Sequence, residues 1–164
     1  MNIQNSEKFY AQAQNFMPGG VNSPVRACRA VGRAPLFIDH AKGSKIYDVD
    51  GNEYIDFLQA GGPTILGSNF EPVREKVFEL LNNCGPVTGL FHEGELLLAK
   101  KISELMPACE MFRMLGSGTE SVMAAIRVAR CATKNKRVIK VGGAYHGWSD
   151  QMVYGLKIPG SRQF

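Results

Sequence analysis

Apolar and polar residues along this chain fall into successive patterns, and each predicts a different element. Glu7 to Asn15, around Lys8-Phe-Tyr-Ala-Gln-Ala-Gln14, reads as a short helix stopped by Pro18-Gly19-Gly20. Residues 34–58 then read as a β meander. Its strands are Leu36–Ile38, Lys45–Val49 and Glu53–Phe57, and Asp50-Gly51-Asn52 between the last two is a hairpin signal. After Gly67 the spacing becomes helical. Glu71 to Asn82 carries Val73, Val77, Leu80 and Leu81, and Glu93 to Met106 carries Leu96, Leu97, Ile102 and Leu105. Met111–Leu115 is a strand candidate, Glu120 to Thr133 an amphipathic helix, and Arg137–Val141 a short β-branched strand. Strand, turn, helix and strand in this order make an α/β unit. The predicted fold class is therefore α/β. A small N-terminal α+β segment with a β meander, residues 1–66, precedes the opening of an α/β domain with a mostly parallel sheet, residues 67–164.

Composition narrows the class without changing it. With 164 residues, 45% hydrophobic and 21% charged, the chain has the length of one domain and can bury a core. The net charge of +4 is spread among acids, so no basic tract points to nucleic acid. No apolar run is long enough to span a membrane, and the polar start Met-Asn-Ile-Gln-Asn-Ser-Glu-Lys lacks a signal-peptide core. Cys28, Cys84, Cys109 and Cys131 form no CxxC pair, and His40, His92 and His146 show no metal spacing. These features predict reduced thiols, no metal site and a cytoplasmic setting.

The candidate chemistry lies in the last third. Gly116, Ser117, Gly118 and Thr119 form a turn that opens directly into the Glu120–Thr133 helix. A helix N-terminus offers free N–H groups and partial positive charge, so an anion such as phosphate suits it. Ser117 and Thr119 add hydroxyls, and Gly118 lets a ligand approach the backbone. An ordinary helix capped by Ser117 or Thr119 is the alternative. One strand later comes Gly142-Gly-Ala-Tyr-His-Gly-Trp148. Tyr145 could stack on a flat heteroaromatic ligand, and His146 could donate a hydrogen bond or move a proton. A packed aromatic and a turn histidine are the alternative. Ligands in α/β units sit at the carboxyl ends of strands, which favours the ligand reading.

Three groups of residues carry a resemblance. They are Met17-Pro-Gly-Gly-Val-Asn-Ser-Pro-Val-Arg-Ala27; Tyr47-Asp-Val-Asp-Gly-Asn-Glu-Tyr-Ile-Asp56 with Gly62-Pro-Thr-Ile-Leu-Gly67; and Gly116-Ser-Gly-Thr-Glu120 with Tyr145-His-Gly147. Together, and in this order, they resemble the class III, pyridoxal-phosphate (PLP) dependent aminotransferase family of fold type I. The first run points to its aminomutase branch, which converts glutamate 1-semialdehyde to the tetrapyrrole precursor 5-aminolevulinate. The resemblance implies that Ser117, Gly118 and Thr119 hold the phosphate of PLP, that Tyr145 covers one face of its ring, and that His146 lies close by. It implies that Ser23 and Arg26 sit at the substrate end, Arg26 gripping a carboxylate with its planar fork. It further implies a PLP/pyridoxamine-phosphate cycle, a small amino-acid-like substrate and a homodimer.

Members of that family run to well over twice this length. The resemblance places the cofactor-bearing lysine and the aspartate facing the pyridine nitrogen beyond Phe164. Neither Lys140 nor Lys157 matches that lysine. The chain is thus expected to be an N-terminal portion, inactive alone and exposing apolar sheet surface that makes it marginal, oligomeric or poorly soluble. Gly61, Gly116, Gly142 and Trp148 depart from the aminomutase pattern around the pocket. They leave open an aminotransferase acting on another amino acid or amine. A non-catalytic fragment that binds phosphate ligands or dimerises is the reading from a different class. A nucleotide-binding protein is disfavoured, because the turn lacks a Walker lysine and the chain has no GxGxxG.

Overall fold

The computed structural model describes residues 1–87 and 89–155. Contacts divide the chain into two compact units, Met1–Gly89 and a second that begins at Leu90.

The first unit opens with helix α1, Gln4–Ala13. It starts three residues before the pattern predicts, because its cap is remote. The carboxylate of Asp50 accepts the N–H groups of Asn5 (2.8 Å) and Ser6 (3.0 Å), 45 and 44 positions away. Burial pushes the Asp50 carboxyl up, but those backbone donors outweigh it and hold the group below its usual value. Ser6 is fully buried and its hydroxyl accepts the N–H of Phe37 (3.2 Å). After α1, Gly20 takes φ +72°, and a β-carbon there would lie 2.7 Å from the Tyr10 ring. The Pro-Gly-Gly run thus closes onto α1 where only glycine fits.

The meander forms as an antiparallel three-stranded sheet in the order β1 (Ile38–Lys42), β2 (Lys45–Asp48), β3 (Glu53–Ile55). The first strand lies later than Leu36–Ile38 because that apolar run docks on α1, with Phe37 edge-on to Phe9 at 5.7 Å. The last strand stops at Ile55 because the Asp56 carboxylate accepts the N–H groups of Leu58 and Gln59 (both 2.9 Å) and turns the chain. Asp48, 3% exposed, ties the hairpin together. It accepts from the backbone N–H groups of Asp50 and Asn52 and from the Tyr54 hydroxyl (2.7 Å). Burial raises the Asp48 carboxyl, and the donors, Asn52 first, bring it below its usual value. Helix α2, Glu71–Asn83, ends this unit. Pro72 sits in its first turn, where a missing N–H costs nothing.

The second unit holds α3 (Glu93–Leu105), α4 (Gly118–Thr133) and the short α5 (Asp150–Val153). The helices match the sequence spacing, but the strands do not form. Among the described residues neither Met111–Leu115 nor Arg137–Val141 enters a ladder, so the expected parallel sheet is absent there. A strand exists only through its neighbours, and a parallel one needs partners brought by crossovers. Ile139 is 99% exposed. What order this region has comes from α4. Arg130 donates from Nε to the Lys136 carbonyl (3.0 Å) and from Nη1 to the Gln151 side chain (3.2 Å). Lys140 donates to the Met152 carbonyl. Ile126 and Met152 are the buried apolar side chains of this small core.

Candidate functional site

Ser117 is the cap of α4, as one of the two sequence readings held. It has extended φ/ψ (−154°, 161°), and its hydroxyl oxygen accepts the Glu120 N–H at 3.2 Å. The same hydroxyl donates to the Glu120 carboxylate at 2.8 Å, a close relative of the capping box. Among the described residues the N–H groups of Gly118 and Thr119 have no acceptor. A β-carbon at Gly118 would meet nothing within 4 Å, so the backbone is open to a ligand there.

The glycine-rich loop returns to this turn. Gly147 is buried at φ +98°, and a β-carbon there would lie 2.9 Å from Thr119 Oγ1 and 3.1 Å from Thr119 Cα. This contact brings the two sequence motifs together. An open cleft of about 480 Å³ lies beside it, lined by Ser117, Thr119, Met123, Trp148 and Ser149 and by two acidic residues, Glu120 and Asp150. The Ser149 hydroxyl is buried without a hydrogen-bond partner among the described residues. Buried polar groups normally find partners, so this is an unmet group inside the wall; its oxygen presents no surface to the cleft. Open N–H groups, hydroxyls and the uncovered face of Gly118 together fit a phosphate group.

The remaining predicted residues lie differently. His146 lines a neighbouring apolar cleft of about 370 Å³ with Val122, Ile126 and Lys140. Its Nε2 lies 3.3 Å from the Val141 carbonyl, which can only accept. The proton therefore sits on Nε2 in the neutral ring, leaving Nδ1 as an acceptor. Tyr145 is 67% exposed and stacks on no other ring among the described residues. Ser23 and Arg26 belong to the first unit. Ser23 precedes the 3-10 turn Pro24–Ala27, and its carbonyl accepts the Arg26 N–H at 2.9 Å. Arg26 is exposed and makes no ion pair among the described residues, so its guanidinium is available. Lys140 is engaged by the Met152 carbonyl, and Lys157 lies outside the described residues. Sequence reasoning missed Ser149, whose unmet hydroxyl leaves no trace in spacing. It noticed Trp148 only as a departure in pocket shape.

The profile of the family described as "Aminotransferase class-III" matches residues 27–154. A glutamate-1-semialdehyde 2,1-aminomutase of Clostridium novyi (strain NT) is 50% identical over 90% of this chain and 34% of its own length. The chain thus spans about a third of the curated relatives it matches. Among solved structures, an omega-transaminase from Sphaerobacter thermophilus superposes with a TM-score of 0.84 at 30% identity, over 93% of this chain and 34% of that one. A transaminase solved with PLP bound gives 0.82 at 32% identity, over 93% and 35%. Both likenesses show that the chain has the fold of about a third of a transaminase, although the sheet strands are unpaired among the described residues.

Proposed function

The chain belongs to the class III aminotransferase family, and from that premise we propose that it is the front part of a PLP-dependent enzyme that moves an amino group. In this reading it acts as a glutamate-1-semialdehyde 2,1-aminomutase, shifting nitrogen between neighbouring carbons to give 5-aminolevulinate. The observation that carries the reading is the close approach of Gly147 to Thr119, which joins the phosphate turn to the Tyr-His loop. Residues 1–66 are then a small-domain segment and residues 67–164 the first part of the cofactor-binding domain.

The bound cofactor supplies an electron sink for the carbon that gains or loses nitrogen. The chain's own residues bind and orient it. The Ser117 and Thr119 hydroxyls and the N–H groups of Gly118 and Thr119 hold the phosphate at the positive end of α4. The Tyr145 ring covers one face of the pyridine, its exposure leaving it free to do so. His146, with Nδ1 open, accepts a proton or hydrogen bond nearby. Arg26 grips the substrate carboxylate with its fork, and Ser23 lies beside it. The lysine that carries the cofactor is outside these 164 residues, so the chain alone is inactive. The working enzyme is a cytoplasmic homodimer; the lack of a membrane-crossing helix among the described residues and the scattered free cysteines agree with the cytoplasm.

The test uses the longer protein that contains this chain. Given glutamate 1-semialdehyde and no external amine, it should release 5-aminolevulinate. Dependence on an added amino donor or acceptor would instead favour an aminotransferase for another amino acid or amine. The exposed Trp148 in the cleft wall and the side-chain-free Gly61 support that second reading. Borohydride reduction of the purified longer protein, with no PLP added, should place the stoichiometric adduct on none of the lysines of residues 1–164. An adduct there would overturn the assignment of the lysine elsewhere.

A further inference from the structure

The Ser117 hydroxyl has one proton, and that proton is already committed to the Glu120 carboxylate, 2.8 Å away. The carboxylate lies over the same first turn of α4 whose N–H groups point outward. A phosphate oxygen that takes the Ser117 proton must displace it, and two anions held at one helix end repel. Gly116 makes the arrangement possible. A β-carbon there would sit 2.9 Å from Glu120 Oε2, so any side chain at 116 pushes the carboxylate away. Gly116 has no left-handed φ, and the atom it would meet is the end of a flexible side chain, so alanine is tolerated.

We propose that Glu120 sets the phosphate affinity of this turn: its carboxylate occupies the Ser117 hydroxyl when no ligand is bound, Gly116 gives it room, and phosphate enters by driving it off. The inference rests on the phosphate reading of the turn. It assigns Glu120 a role opposite to that of the residues that hold the ligand.

Trp148, the only tryptophan among these 164 residues, lines the cleft. The longer protein that contains this chain, freed of cofactor, and its Glu120→Gln and Gly116→Ala variants are titrated by calorimetry with inorganic phosphate and with PLP, and the helix content of each is followed on heating. Glu120→Gln should bind both ligands about five- to ten-fold more tightly, since a neutral amide competes less for the hydroxyl and does not repel the phosphate. Gly116→Ala should tighten binding about three-fold by displacing the carboxylate without removing its charge. Glu120→Gln should also melt slightly earlier, because a negative charge at the start of α4 favours the helix. A purely structural Glu120 would weaken binding along with stability. If the unaltered protein binds phosphate and neither variant binds more tightly, this inference fails and the phosphate reading stands. If no form binds phosphate or PLP, both fail together.

Discussion

At the scale of single residues, the site depends on one close approach and a few hydroxyls. Gly147→Ala places a β-carbon against the Thr119 backbone at a φ that side chains rarely adopt. In the longer protein that contains this chain it should cost about 1–3 kcal/mol and abolish phosphate binding, as denaturant titration and ligand titration would show. Ser117→Ala removes the α4 cap and should cost about 1 kcal/mol, with weaker phosphate binding. Ser149→Ala is expected to behave in the opposite sense. Its hydroxyl is buried and unmet, so removing it should leave the melting temperature unchanged or raise it slightly. A clear drop in melting temperature would mean the hydroxyl has a structural partner. These positions also show the limits of local reading. The hydroxyls of Ser117 and Thr119 were legible because they flank a helix start, whereas the orphan at Ser149 depends on what surrounds it.

At the scale of elements, the N-terminal helix and the hairpin are one electrostatic assembly. Asp50 caps α1 from across the fold and Asp48 gathers the hairpin, and both carboxyls lie below their usual value near 3.8. A carboxyl that is more acidic when folded stabilises the fold fully above its unfolded value, and loses that contribution as pH falls through the folded value. The first unit should therefore lose α1 helicity as pH drops below about 3.8. Asp50→Asn should weaken α1 at neutral pH and flatten this acid transition, measured by circular dichroism against pH. An unchanged acid midpoint would show that Asp50 carries no such linkage. The pattern of the chain located the hairpin and the later helices because period and turn residues are local. It placed the start of α1 too late because that start is fixed by a carboxylate 44 and 45 residues away.

At the scale of the whole molecule, apolar surface is the dominant feature. The α2 and α3 helices bury no residue fully among those described, and Phe57, Phe91, Met111 and Ile139 are each at least 90% exposed. Water-facing apolar area of this kind is covered in stable proteins. The 164-residue chain alone should bind a hydrophobic dye strongly and elute from size exclusion as associated species. Its unfolding should lack a sharp, reversible, monomeric transition. A monomer that melts cooperatively and excludes the dye would overturn this expectation.

What the sequence determined by itself was everything set by neighbours along the chain. That includes the helical faces, the Asp-Gly hairpin, the serine cap and the residue types that suit phosphate, because capping and periodicity act over a few positions. The tertiary structure alone decided that Asp50 starts α1 and that Gly147 abuts Thr119. It also left Arg137–Val141 unpaired among the described residues. Each of these depends on residues far along the chain or on none coming near. A strand or a remote cap is defined by what lies across space from it, and spacing along the chain carries no record of that.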